Sequence, residues 1–206
     1  MRRFVLWVVV LLVCGAPFKP ASAAMLGDAS VSYSAERTVT VNGKSYLGMV
    51  FHVPGRERHE QQIQGISEVI ILDAGAKQGF LVLPELNSYV AFAFPRLMAE
   101  LDDSDLRRTP VGQETVNGVP TTKYRVDHTA GDGSRAQGFV WLSGQRVLMR
   151  LDGIVARAGA GRGTAIRFEL AGVKLGPQDP GLFVLPPGLV KLPSAALEGL
   201  LSGKPG

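Results

Sequence analysis

The chain is predicted to be mainly β: a curved antiparallel sheet forming a half-open barrel, with one or a few short covering helices. Three observations lead there. Apolar and polar residues alternate with period two along most of the chain, turn residues recur about every 8–12 positions, and only one segment has helical spacing. Residues 31–41 open the pattern, with Val31, Tyr33, Val39 and Val41 on one face and Ser32, Ser34, Glu36, Thr38 and Thr40 on the other. Asn42-Gly43 follows, a pair that tolerates the positive φ angles of a type I′ hairpin turn. The next strand places Leu47, Met49, Phe51 and Val53 together on its apolar face, and Pro54-Gly55 turns the chain again. Residues 56–64 then read as a polar strand, and "ISEVIILD" (66–73) as a nearly continuous apolar one.

Further pairs follow in order. "GFLVLP" (79–84) and "SYVAFAF" (88–94) are joined by a short turn; "PVGQETV" and "PTTKYRVDH" flank Asn117-Gly118; "QGFVWLS" (137–143) and "RVLMRLDGIV" (146–155) flank Gly144-Gln145. "GTAIRFELAGVKL" (163–175) is the last clear strand. "PRLMAELDDSDL" (95–106) is the helical exception, opened by Pro95 and carrying Leu97, Met98 and Leu101 on one side. From Ser194 the chain reads as a short Gly-rich tail, with one helical turn expected at "ALEGLL".

The first 23 residues have the form of a cleaved leader. Arg2-Arg3 precede the apolar run "FVLWVVVLLV", too short to span a bilayer, and Ala21-Ser22-Ala23 fits a cleavage site before Ala24. Cys14 follows Val13, where a lipid-anchor signal needs a small residue, so the expectation is a soluble protein exported to the periplasm. Residues 24–193 are then one domain. Removing Arg2, Arg3 and Lys19 with the leader leaves 19 basic against 18 acidic residues, a net charge of +1, and argues against a nucleic-acid partner. The single cysteine goes too, so neither disulfide nor thiol chemistry is expected.

Motifs for chemistry fall short one by one. His59-Glu60 begins H-E-x-x-H, but Ile63 stands where the second histidine belongs, and the segment has no helical stripe. No metal site and no cofactor are predicted. "RAGAGRG" (157–163) resembles a phosphate loop, yet an alternating strand follows it rather than a helix, which makes it a hairpin loop. Ser143-Gly144 lacks the frame of a nucleophile elbow, and Asp102 and Asp105 suit a charged turn better than a sugar-cleaving pair. A non-enzymatic protein is expected. What remains is apolar: Met49, Phe51, Phe80, Val82, Tyr89, Phe92, Phe94, Phe139 and Trp141. These are either ordinary core or the lining of a concave face that holds an apolar ligand. The ligand-lining candidates are Met49, Phe51, Phe80, Val82, Phe92, Phe94 and Trp141, with Leu97, Met98 and Leu101 as a lid.

"YLGMVFHVPGRERHE", then "VIILDAGAKQGFLVLPELNSYVAF", then the closing "DPGLFVLPPGLVKL" resemble LolA-like lipoprotein-carrier proteins across residues 31–192. "GQETVNGVPTTKYRV" is closer to uncharacterised periplasmic relatives than to the carrier itself. The resemblance implies a helix-covered half-barrel that binds lipids or the acyl chains of lipoproteins in the periplasm. The carrier has an arginine directly before the strand-turn proline, where this chain has Val53, and it opens with a long helix where only Ala24 to Ser30 precede the first strand. The implied function is carrier-like binding of a lipid or acylated cargo, in lipoprotein or lipid sorting. The alternative is an envelope sensor or scaffold with a fully packed half-barrel, binding a membrane-associated partner protein.

Overall fold

The computed structural model describes residues 29–63, 65–93, 107–129, 133, 135–156, 159 and 163–193. The expected leader (1–23), Phe94, the expected helix with Leu97, Met98 and Leu101, and the tail from Ser194 lie outside these residues. The described residues form twelve strands: β1 (Tyr33–Val41), β2 (Lys44–Val53), β3 (Arg56–Ile63), β4 (Ile66–Asp73), β5 (Gln78–Leu83), β6 (Ser88–Ala93), β7 (Arg107–Val116), β8 (Val119–Thr129), β9 (Arg135–Ser143), β10 (Leu148–Ala156), β11 (Thr164–Leu175) and β12 (Val190–Leu192). They form one sheet in the order β12-β6-β5-β4-β3-β2-β1-β11-β10-β9-β8-β7. Every pairing among them is antiparallel except β12 on β6. The end strands β12 and β7 do not pair with each other, so the sheet is an open half-barrel.

The tight turns form as the sequence requires. Asn42 and Gly43 have φ of 48° and 82°, and Asn117 and Gly118 have 47° and 80°, the paired positive values of a type I′ turn. Such a two-residue loop fixes register. Val41 stands opposite Lys44, so Val39 faces Tyr46, Ala35 faces Val50 and Tyr33 faces His52. The Pro54-Gly55 turn does the same for the next pair, placing Glu57 opposite His52 and His59 opposite Val50.

Following these pairs across the sheet separates its two faces. One, here called inner, carries Tyr33, Ala35, Arg37 and Val39 of β1, Val50 and His52 of β2, Ile70 and Leu72 of β4, Leu81 of β5 and Val90 of β6. Beyond β1 it continues through Phe168 and Leu170 of β11, Leu151 of β10 and Val140 of β9. Most of these side chains are fully buried, each worth about 1.5–3 kcal/mol over an exposed position for a large aliphatic residue.

The register corrects one expectation. On β2 the buried positions are Val50 and His52; Leu47, Met49, Phe51 and Val53 point to the other face, and Leu47 is 74% exposed. Counting apolar side chains favours the wrong side of this strand, because a period-two strand offers two faces and the hairpin turn decides between them.

The outer face is covered at one end by the chain itself. After β11, residues 176–189 cross to β3–β6, with Arg58 Nη1 donating to the Leu182 carbonyl at 3.1 Å. Leu185 and Leu189, like Phe80 and Tyr89, pack on the buried cluster of Val69, Ile71 and Val82. Val190 N then bonds Asn87 O, and β12 adds to the β6 edge. This three-residue strand is absent from the alternation pattern because a segment so short has no readable period.

Candidate ligand-binding face

The inner face is apolar on both flanks and polar in the middle. On one flank Ile70, Leu72, Leu81, Leu83 and Val90 form a buried cluster; on the other, Val39, Val140, Leu142, Met149, Phe168 and Leu170 belong to a second. Between them, β1, β2 and β3 bring together Arg37, His52, Glu57 and His59, none more than 8% exposed. Register builds this belt. Glu57, His59 and Gln61 recur at every second position of β3, and the Pro54-Gly55 turn sets His52 beside the first.

Glu57 is the hub. Its Oε1 lies 3.1 Å from His52 Nδ1 and its Oε2 2.9 Å from His59 Nε2. Burial pushes this carboxyl up; the hydrogen bonds from His52 and His59, aided by the charge on those rings, more than offset it and bring the group down to about 2. His52 Nε2 meets the Ala29 carbonyl at 3.1 Å, so both its ring nitrogens face acceptors, and its ring stacks on Tyr33 with centroids 5.0 Å apart. Burial, and then the Glu57 charge, raise the Tyr33 hydroxyl well above its ordinary range.

Arg37 reaches across β2 where Gly48 leaves room. A Cβ there would lie 3.2 Å from Arg37 Nη2 and overlap the Glu60 carbonyl. The guanidinium donates through Nη2 to Gln61 Oε1 at 2.6 Å, and Gln61 Nε2 donates on to Glu68 Oε2 at 3.0 Å. Burial lowers Arg37 to about 10, opposed by the Glu57 charge, so it remains a cation at neutral pH. His59 is lowered as well, first by burial and further by the Arg37 charge, with the Glu57 hydrogen bond opposing. Two buried polar atoms of the belt have no hydrogen-bond partner among the described residues: Arg37 Nε and His59 Nδ1.

The predicted lining residues do not come together. Met49 and Phe51 are half-buried on the outer face. Phe80 and Val82 also face outward, in the cluster that Leu185 and Leu189 join. Trp141 is on the outer side too, donating through Nε1 to Glu114 Oε2 at 2.8 Å, with Lys123 and Arg150 over its ring. Phe92 alone of the described set is on the inner face, packed on the cluster around Leu81. Aromatic content grouped these residues in the sequence; register divides them. The belt was missed because residues 56–64 read only as a polar strand, although the alternation of Glu57, His59 and Gln61 across from His52 was there to be found. Among the described residues no set of three His, Cys, Asp or Glu side chains is placed to hold a metal ion.

No protein-family model matches the sequence, and no curated protein matches it. Solved structures do match in fold. MucB in complex with MucA(peri) superposes with a TM-score of 0.50 at 16% identity, covering 83% of this chain. The chain spans only 59% of that MucB chain. An uncharacterised conserved protein from Thermus thermophilus gives 0.52 at 13% identity, covering 80% of this chain and 91% of its own. A LolA superfamily protein, NE2245 from Nitrosomonas europaea, gives 0.42 at 10% identity, with 80% and 96% covered.

Proposed function

We propose that the protein is a periplasmic, non-enzymatic binding protein that holds a lipid or an acylated ligand on the inner face of its half-barrel, in lipid or lipoprotein sorting. The observation that carries this reading is the layout of that face: two apolar clusters separated by a buried polar belt in which two hydrogen-bonding atoms have no partner among the described residues. A core built only for stability gains nothing from a buried ionic cluster, since apolar residues of similar volume do as well or better. A ligand site, by contrast, is mostly apolar with a few fixed polar groups that orient the ligand. The belt is a set of hydrogen bonds centred on Glu57, which holds both histidine rings in place, and that supports binding over catalysis.

Native mass spectrometry of the exported protein tests the proposal. Co-purifying lipid, or saturable binding of an acyl-chain fluorescent probe, is the expected result. No lipid and no probe binding would overturn it. A second reading, a sensor or scaffold that binds a partner protein, is favoured by the MucB likeness, since that structure contains MucA(peri). Crosslinking in the envelope that captures one protein at defined stoichiometry, with an empty lipid fraction, would favour this reading over the first.

A further inference from the structure

We infer that the uncovered apolar stripe of β2 on the outer face, Leu47, Met49, Phe51 and Val53, packs on the same stripe of a second copy of this chain. The result is a back-to-back dimer whose inner faces point away from each other. This stripe lies on the opposite side of the sheet from the ligand face, so the dimer stands independently of the ligand proposed above.

The register of the β1–β2 hairpin turns these apolar side chains away from the buried side of the sheet. Leu47 is 74% exposed, and Met49, Phe51 and Val53 are half-buried. The crossing segment 176–189 shields the strands next to them. Its Leu182 carbonyl meets Arg58 on β3, and Leu185 and Leu189 join the cluster of β4 and β5, whereas Leu47 stays in water. Aligned apolar groups in water are costly, and contact with a matching surface removes that cost.

The charges beside the stripe say what that surface is. Met49 stands between Glu36 of β1 and Glu60 of β3. Phe51 stands between Ser34 of β1, with Lys174 of β11 beyond it, and Arg58 of β3. Acids therefore flank Met49 and bases flank Phe51, one row further along the same face. Glu60 pairs with Arg58, while Glu36 and Lys174 are exposed and have no hydrogen-bond or ion-pair partner among the described residues.

A twofold axis running across the strands, midway between the rows of Met49 and Phe51, matches this surface to itself. Met49 then lies over Phe51 of the second copy, Leu47 over its Val53, and Glu60 over its Arg58. Glu36 comes within one strand spacing, about 4.8 Å, of Lys174 of the second copy, a gap that a lysine side chain spans. Other arrangements fit worse. An axis along β2 sets Glu36 over Glu60 of the second copy, and an axis through Met49 sets Glu36 over Glu36. Edge-to-edge pairing through β7 is opposed by Pro110 and by the bulge between Pro110 and Gly112, which blunt that free edge.

Sedimentation velocity of the full exported protein, from about 1 to about 200 µM, tests the dimer, since an interface built on so short a stripe belongs to the weak, micromolar class. A reversible monomer–dimer equilibrium is expected. Leu47→Asp is expected to weaken association by about tenfold or more. Glu36→Lys sets a lysine against Lys174 of the second copy and is expected to weaken it by about tenfold. Glu36→Lys combined with Lys174→Glu re-forms the pair with its signs exchanged and is expected to restore the dimer. A monomer across the whole range would overturn the inference and leave the stripe to another occupant. So would a dimer indifferent to Leu47→Asp, or a double variant no tighter than Glu36→Lys alone. If Leu47→Asp no longer folds by circular dichroism, the charge exchange at Glu36 and Lys174, both exposed, decides alone.

Discussion

The two faces of the sheet use the same residue types to opposite ends. On the outer face, Lys123 lies over Phe139 and Trp141, Arg150 over Trp141, and these cations pair with Glu114 and Glu169. Arg167 and Asp152 form a further pair there, with side chains 56% and 42% exposed. Apart from the buried Trp141, these groups remain in contact with water, which screens their pairing. On the inner face Arg37, Glu57, His52 and His59 are buried, and every charge depends on a fixed neighbour. Side-chain chemistry is the same, but solvent access turns the weak contacts of one face into the obligatory contacts of the other.

The sharpest way to break this contrast is Glu57→Gln. It sets an amide donor against one of the two histidines in place of a carboxylate oxygen and leaves Arg37 without a compensating charge, and is expected to cost about 3–5 kcal/mol in urea unfolding. Acid should reach the same end without mutation. Glu57 titrates at about 2 when folded against an ordinary 4.5, so its contribution is complete above pH 4.5 and fades as pH falls toward 2. A variant that unfolds with unchanged midpoint would mean that the belt is hydrated.

Gly48→Ala comes next. The new Cβ would collide with the Glu60 carbonyl and crowd the Arg37 guanidinium, and a loss of about 1–3 kcal/mol is expected. Alanine at an exposed hairpin glycine would not report on the belt, so the comparison isolates the crossing of Arg37 over β2.

A shallower, graded effect is expected between pH 7 and 5. The folded pKa of His59 lies below 6.5, so in that window the unfolded chain binds a proton that the folded chain does not, and stability falls as pH falls. The groups around it are Glu57, His52, Arg37 and Gln61. His59→Gln should flatten this part of the stability profile; an unchanged slope would place the titration elsewhere. Smallest of all is Arg167→Ala on the outer face, expected to shift the unfolding free energy by less than about 0.5 kcal/mol. A loss comparable to that at Glu57 would erase the distinction between the faces.

Much of the fold was legible locally. "ISEVIILD" is β4 at the same residues, Asn42-Gly43 and Asn117-Gly118 are the hairpin turns expected, and "RAGAGRG" does separate two paired strands, β10 and β11. These signals need only neighbours in sequence. The site was less legible. Arg37 sits in the alternating run with Tyr33 and Val39 on the side assigned as apolar, where a lone charged side chain is easily read as an exception. Met49, Phe51, Phe80, Val82 and Trp141 invited a ligand pocket by their chemistry, but they share no inner surface with Phe92. Phe80 and Val82 belong to an outer-face cluster that Leu185 and Leu189, more than a hundred residues away, help to cover.

By itself, then, the sequence determined the strand segments, their hairpin turns and therefore the local register, because period-two alternation and positive-φ turn residues act over a few bonds. Only the tertiary structure decided which face of the sheet is buried, that residues 176–189 seal part of the other, and that Arg37 reaches over Gly48 to the buried Glu57 cluster. Burial is a property of the whole sheet, and it alone turns four ordinary polar residues into an interdependent belt.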